Sequence, residues 1–417
     1  MKILFVLPYV PSLIRVRPYN FIRELSRRHE VTVLATDTPR GSAAAESLRD
    51  FCRDVVVVPL KLPAALWGCA RGAARGEPLQ AAFCRSSALE SRLRDLLAEQ
   101  RFDLVHVEHL RVAYLGDLVP SGIPTVFDSV DCISLLQQRT LASSHSLRQR
   151  ALAALELGRT RAYEARLIRR FDRVVVTSAE DAGALMSLAP GTGVVVVPNG
   201  VDLDYFRPLE GELEPATLVF SGKMSYHANV TALFHFVRNI FPSIRRSHPE
   251  VRLRVIGSSP PAAVRALARD PAISVTGYLP DLRPALGRAT LAICPVTIKV
   301  GIQNKLLEAM AMGLPVVCTR EGAGGLSVRD GRDLLVADGP AEFAGQVCRL
   351  LGSPRLRCWL GQSGRRYVET HHRWPAVVRT LEGVYVGAVE GKSRNLAEAT
   401  PANSVGIVRR EVKARSR

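Results

Sequence analysis

GIQNKLLEAMAMGLPVV, residues 301–317, decides how the rest of the chain is read. An apolar strand-like run, LAICP at 291–295, precedes it, and its own end runs into a second, VVCT at 316–319. Between them Leu307, Met310, Ala311 and Leu314 recur at i, i+3, i+4 and i+7, the spacing of a helix with one buried face. Gly313 ends that helix and Pro315 blocks its continuation. The other face carries Gly301, Asn304, Lys305 and Glu308, so a helix beginning at Gly301 presents them on one side. The first turn of a helix has free N–H groups and a positive dipole end, which suit a diphosphate. Gly301 admits close backbone approach, Lys305 adds a point charge, and Glu308, one turn further in, can accept hydrogen bonds from sugar hydroxyls. This is the outline of a nucleotide-sugar site. An ordinary amphipathic helix with a solvated Lys/Glu edge gives the same pattern.

Outward from this stretch, strands and helices alternate in both directions. Ahead of residue 198, strands are expected at 2–7, 30–36, 55–60, 104–108, 125–128, 174–177 and 194–197. Helices are expected at 16–28, 43–51 and 86–99, with one long arginine-rich segment over 134–170, while Gly68, Gly72 and Gly76 weaken any helix within 61–80. After PNGVDLDYFRP at 198–208 the alternation restarts, with strands at 217–221, 252–257, 273–276, 291–295, 316–319 and 334–337. Near-continuous Val, Leu and Ile in these strands argue for parallel sheets covered on both faces. The fold class is therefore α/β, with two Rossmann-like doubly wound domains. Domain limits are placed at 1–198 and 199–373, followed by a helix at 374–390 and a disordered basic tail at 391–417. Neither a G-x-G-x-x-G fingerprint nor a Walker-A sequence follows the opening strands, which weakens dinucleotide and P-loop readings.

Other loops at the strand ends carry candidate ligands. SGKMSYHAN at 221–229 offers a tight turn at Gly222, a cation at Lys223 and a helix entry near Asn229. Lys223 can equally be an exposed lysine in a plain strand-to-helix loop. GYLPD at 277–281 sets Tyr278 where a flat base could lie, or where a helix begins. Asp202 and Asp204 form a D-x-D of the kind that holds a diphosphate through a divalent ion, but Pro198, Asn199 and Gly200 intervene after the strand, and the pair reads as hinge. Asp128 and Asp131 follow a strand of the first domain. Either can orient an acceptor hydroxyl, and helix capping is the stronger reading of Asp131. His106 and Glu108 share one face of a strand, more as satisfied polar groups than as a catalytic pair.

Composition narrows the class. The chain has 417 residues, 47% of them hydrophobic, and a formal charge of +17. No unbroken apolar run is long enough to span a bilayer, and residues 1–7 meet Pro8 without a cleavage-type ending, so a cytoplasmic location is expected. The eight cysteines form no C-x-x-C pair, which argues against zinc and against a disulfide framework. Aromatics are only 6% and no nucleic-acid motif accompanies the charge. A nucleic-acid partner is therefore not expected. A basic, high-arginine composition explains the charge blandly, and attraction to an anionic membrane surface, at the inner face of the cytoplasmic membrane, explains it functionally.

Taken together, the hinge NGVD at 199–202, the loops SGK at 221–223 and GY at 277–278, and KLLEAMAMGLPVV at 305–317 resemble the family-4 retaining glycosyltransferases of the GT-B fold. SGKM at 221–224 with GIQNK at 301–305 is most similar to the sugar transferases of bacterial exopolysaccharide and exosortase (PEP-CTERM) gene clusters. The resemblance covers residues 1 to about 390 and implies a donor nucleotide diphospho-sugar on the second domain and a glycan or lipid-linked acceptor on the first. It implies that Glu308 holds the ribose, that Gly301, Ile302, Gln303, Asn304 and Lys305 form the phosphate and sugar loop, that Lys223 faces the diphosphate, and that Gly222, Asn229 and Tyr278 complete the donor side. It also implies a last helix that crosses back to the first domain, retention of anomeric configuration, and no metal or other cofactor. Lys223, Lys305, Glu308 and Asp128 are the expected catalytic residues. Val300 stands where the family carries a first glutamate, Asn229 where it carries a second cation, and Asp128 where it often carries a histidine. Two other readings share the shape: a nucleotide-sugar epimerase, and a non-catalytic nucleotide-sugar-binding protein.

Overall fold

The computed structural model describes residues 1–399, apart from residues 14, 38–41, 61, 144–146 and 298–300. Val300 and residues 400–417 lie outside the described residues.

In the first domain the strands are β1 (Lys2–Leu7), β2 (Glu30–Asp37), β3 (Asp54–Pro59), β4 (Leu104–Glu108), β5 (Thr125–Val130), β6 (Arg173–Val176) and β7 (Val194–Val196). They form one parallel sheet in the order β3-β2-β1-β4-β5-β6-β7. In the second domain β8 (Thr217–Ser221), β9 (Arg252–Ile256), β10 (Ile273–Gly277), β11 (Leu291–Cys294), β12 (Val316–Cys318) and β13 (Leu335–Val336) form another, in the order β10-β9-β8-β11-β12-β13. Chain order reverses beside the first strand of each sheet, between β1 and β4 and between β8 and β11. Crevices open at such points, outside the carboxyl ends of the strands.

Burial follows the period of two. Leu4 and Val6 of β1 enter one core layer, while Ile3, Phe5 and Leu7 enter the layer on the other face. The helix Trp374–Ala399 covers that second face: Val377, Val378, Leu381 and Tyr385 all lie in the layer of Ile3 and Phe5. Arg28 pairs with its Glu382 at 2.9 Å, and Lys392 with Asp172 at 2.8 Å. This helix runs on to Ala399, beyond the 374–390 read from the sequence, and takes in the first residues assigned to the basic tail.

Residues 62–83 depart from the weak helix expected there. They fold as helices Leu62–Ala74 and Leu79–Phe83. The glycines serve close helix packing: a Cβ on Gly68 would stand 2.6 Å from the Ala82 carbonyl oxygen, and one on Gly72 2.3 Å from the Ala82 methyl. The long arginine-rich segment is two helices, Ile133–Ser143 and Leu147–Arg170, packed on each other.

Two crossings join the domains. Arg17, 5% exposed, donates from Nη1 to the carbonyl oxygens of Val197 (2.8 Å) and Pro198 (3.3 Å) and to Asn199 Oδ1 (3.1 Å). At the second crossing, His372 Nδ1 lies 2.7 Å from the Asn199 carbonyl oxygen, and the Val201 N–H donates to the His372 carbonyl at 2.7 Å. Asp202 belongs to this hinge. One oxygen pairs with Arg23 at 2.9 Å, and the other accepts the N–H groups of Asp204 and Tyr205.

Candidate active site

The helix that follows β11 begins at Asn304, not at Gly301; it spans Asn304–Ala311, and residues 301–303 are the loop that enters it. Lys305 and Glu308 therefore sit in its first turns, on the face turned to the crevice between β8 and β11. Gly222, just after β8, has φ +150°, and a Cβ there would come within 2.9 Å of Asn229 Nδ2 and 3.0 Å of Lys305 Nζ. Asn229 ties the loop together: Nδ2 donates to the Lys223 carbonyl at 2.9 Å, and Oδ1 accepts from Lys305 Nζ at 2.6 Å. The same ammonium lies 4.7 Å from the Phe220 ring centroid. Burial lowers the Lys305 pKa, and the nearby Cys294 and Glu308 oppose that shift. The Lys223 side chain is exposed; only its backbone carbonyl joins this network.

Glu308 faces a cavity of about 260 Å³ between the domains, lined also by Asn304, Tyr278, Leu279 and, from the first domain, Val16 and Asn20. Among the described residues nothing donates a hydrogen bond to its carboxylate. Burial pushes its pKa up to about 7, against the pull of Lys305. Tyr278, 64% exposed, stands at the rim beyond Gly277, whose φ is +72°. Asn304 accepts from Asn199 Nδ2 at 3.0 Å, which links the helix start to the hinge. Ile302 is buried at 8% exposure, so its contribution is to anchor the loop. Gln303 precedes the first helical residue, without a side-chain cap.

Gly301 meets the other domain. Its φ is +44°, and a Cβ would stand 2.4 Å from Asp131 Oδ1. Asp131 accepts from Thr177 Oγ1 at 3.3 Å, and burial beside Asp181 raises its pKa to about 6. The capping role read for Asp131 is filled by others. Glu164 accepts the N–H groups of Ile133 (2.6 Å) and Ser134 (3.2 Å), and Asp181 accepts that of Cys132 at 3.0 Å. Asp131 is thereby left to face the glycine loop.

Asp128 lies deeper than an acceptor-orienting carboxylate needs to be. It is fully buried; Oδ2 receives Arg17 Nε at 2.8 Å, and Oδ1 receives Arg17 Nη2 at 3.2 Å and the Val130 N–H at 2.9 Å. It acts by fixing Arg17, which in turn holds the hinge. His106 and Glu108 join it in one buried group, with ligand-type atoms within 4.8 Å of one another. One atom of each is engaged within the protein: Glu108 Oε1 accepts from Tyr9 at 2.5 Å, and His106 Nδ1 meets Tyr385 at 2.8 Å. His106 Nε2, 3.9 Å from Asp128 Oδ2, and Glu108 Oε2 are buried without a hydrogen-bond partner among the described residues, so the two are less fully satisfied than the sequence reading expects. Burial and the neighbouring Asp128 push the Glu108 pKa up to about 8, and burial lowers that of His106 to about 4. Burial therefore disfavours the charged form of both.

Sequence reasoning missed Arg17, the bond from Asn199 to Asn304 and the contact of Asp131 with Gly301. Arg17 lies in RVRPYN with nothing local to mark it, and its carboxylate stands 111 residues away.

Comparison with known proteins bears on the family and the fold. The family model for Glycosyltransferase Family 4 matches residues 15–205, and that for glycosyl transferases group 1 matches residues 215–353. D-inositol 3-phosphate glycosyltransferase of Acidothermus cellulolyticus is 26% identical over 78% of this chain and 75% of its own length. MMP alpha-(1->4)-mannosyltransferase of Mycolicibacterium hassiacum is 25% identical over 74% of this chain and 77% of its own. Among solved structures, sucrose-phosphate synthase of Thermosynechococcus elongatus superposes with a TM-score of 0.67 at 15% identity, covering 96% of this chain and 100% of that one. Anabaena HepE in complex with UDP and glucose superposes at 0.68 with 14% identity, covering 93% and 100%. The two sheets and these neighbours give the GT-B fold.

Proposed function

From the premise that the chain is a glycosyltransferase of the GT-B type, in keeping with family 4, we propose that it moves a hexose from a nucleotide diphospho-sugar to a glycan or lipid-linked acceptor with retention of configuration. The observation that carries this is Glu308: a carboxylate without a hydrogen-bond partner among the described residues, on the wall of the interdomain cavity, one turn from Lys305. It would accept the ribose hydroxyls, with the base beside Tyr278 and Leu279. The diphosphate would then lie at the start of the Asn304–Ala311 helix, against Gly301, Gly222 and the Lys305 ammonium. Anabaena HepE, a structural neighbour, is bound to UDP and glucose.

Bond making and breaking occur on one face of the sugar. The acceptor oxygen bonds to the anomeric carbon as the bond to the diphosphate breaks, and the acceptor proton passes to the departing diphosphate. Lys305, Lys223 and the helix N–H groups would stabilise the negative charge as it develops. Closure about the 198–208 hinge would exclude water. The reaction is read as metal-independent, since the Asp202 carboxylate is taken up by Arg23 and by the N–H groups of Asp204 and Tyr205. The proposed setting is exopolysaccharide or other cell-surface glycan assembly, with the basic surface lying on an anionic membrane. No helix among the described residues is long and apolar enough to cross a membrane. In support of a surface contact, Leu66 and Trp67 lie exposed on the Leu62–Ala74 helix beside Arg71 and Arg75.

The test is a thermal-shift panel of UDP-, GDP-, TDP- and ADP-sugars, with and without chelator, on the full chain and on Glu308→Gln and Lys305→Met. Stabilisation by one nucleotide class, indifferent to chelator and reduced in both variants, is expected. A requirement for a divalent ion, or equal stabilisation of both variants, would overturn the reading.

A further inference from the structure

A second cavity, of about 510 Å³, opens in the first domain at the carboxyl ends of its strands. Tyr9, after β1, and Arg111, after β4, lie on its wall, and these two strands flank the point where that sheet reverses its order. Arg15 lies on the same wall, its guanidinium 4.3 Å from the Tyr9 ring centroid. Among the described residues, neither Arg15 nor Arg111 is bonded to a carboxylate. Thr36, Asp37 and Gln80 line the same cavity.

Two guanidiniums on the wall of one cavity, Arg15 exposed and Arg111 half-buried, with no carboxylate bonded to either among the described residues, suit an anion that brings several acceptor oxygens. The chain sustains this arrangement at a local cost. His109 holds a left-handed backbone, φ +70°, with its N–H donated to the Asp128 carbonyl at 2.7 Å; its Nδ1 accepts the Arg111 N–H at 3.3 Å. The fixed turn places Arg111 at the cavity. The charges behind the wall do not cancel the pair: His109 is held neutral by burial and by the two arginines, and Glu108, bonded to Tyr9, favours its protonated form. The loop after β1 separates the two cavities, for Leu13 and Val16 line the one holding Glu308 while Arg15 lines this one.

We infer that this cavity binds the anionic group of the acceptor, a phosphate or carboxylate borne on a polyol, through Arg15 and Arg111, with Asp37, Thr36 and Gln80 receiving the hydroxyls. The inference rests on the reading of the first domain as the acceptor side and names the chemistry of that acceptor.

The experiment is a calorimetric titration of the full chain with glucose 6-phosphate, glucuronate and glucose, and with phosphatidic acid in phosphatidylcholine vesicles. It is repeated on Arg15→Gln and Arg111→Gln, and nucleotide stabilisation is measured on the same samples. Saturable binding of an anionic probe is expected, weakened about tenfold or more in each variant, with nucleotide stabilisation unchanged. Preference for the soluble phosphate, for glucuronate or for the vesicle would support the inference and identify the carrier of the charge. Equal binding of glucose and glucose 6-phosphate, or anion binding indifferent to both substitutions, would overturn it. A nucleotide response with no anion bound in any arm would overturn this inference alone. Anion binding that is lost in the variants, without any nucleotide response, would uphold it and sink the donor reading instead.

Discussion

Glu308→Gln separates what the carboxylate does for the ligand from what it does to the fold. Burial raises its pKa from 4.5 to about 7 in the folded chain. The native state thus binds this proton more tightly than the unfolded state, so its stability falls as pH rises from about 4.5 through about 7. Above that range the charged group costs about 3 kcal/mol relative to acid conditions. A glutamine keeps the shape and loses the charge. Urea unfolding at about pH 5 and about pH 8 should show wild type and variant close together in acid, and the variant more stable by up to about 3 kcal/mol in base. Donor binding should move the other way. A carboxylate accepting two ribose hydroxyls contributes about 1.5–3 kcal/mol for each bond to a charged group, so nucleotide affinity at about pH 8 should drop by at least about 100-fold in the variant. Wild-type affinity should weaken as pH falls below about 7, and the variant should lack that dependence. A variant no more stable than wild type in base, or a wild-type affinity flat across this range, would refute the reasoning.

Replacing Arg17 by Met leaves Asp128 buried with its cation gone, which should cost about 3–5 kcal/mol in urea unfolding; adding Asp128→Asn should recover part of that loss. Lys305→Met removes the ammonium between Asn229 and the Phe220 ring, and kcat should fall about 100- to 1,000-fold, while an unchanged kcat would exclude Lys305 as a stabiliser of the leaving group. Gly301→Ala forces a methyl against Asp131 at a positive φ, and a loss of about 1–3 kcal/mol is expected; Asp131→Ala in the same chain should restore only the share due to contact. Arg23→Met breaks the pair with Asp202 at the hinge, where both side chains are partly exposed, so stability should change by no more than about 1 kcal/mol in the same assay.

The parallel sheets could be read from local sequence because their strands are apolar on both faces, as in residues 3–7, where every side chain is buried. The 304–311 helix was legible for a similar reason: its stripe and its Gly313 stop are local signals. Its start was not, since Gly301 takes a left-handed turn that only the approach of Asp131 from the other domain explains. Helix Leu62–Ala74 was obscured by the very glycines that let it press against Ala82. The arginine-rich segment folds as two helices, Ile133–Ser143 and Leu147–Arg170, and the weak helix formers Ser143, Ser144, His145 and Ser146 at their junction are a local boundary signal that the reading of one segment passes over. Arg17 and Asp128 illustrate the wider limit, because an ion pair across 111 residues leaves no local pattern.

The most direct test of the account follows donor turnover by proton NMR, with the nucleotide sugar chosen from the binding panel and an anionic polyol as acceptor. An α-linked donor should give an α-linked product in the presence of chelator, and the signal should vanish in Lys305→Met while persisting in Asp202→Asn. A β-linked product, or turnover that survives the loss of both Lys305 and Glu308, would contradict it.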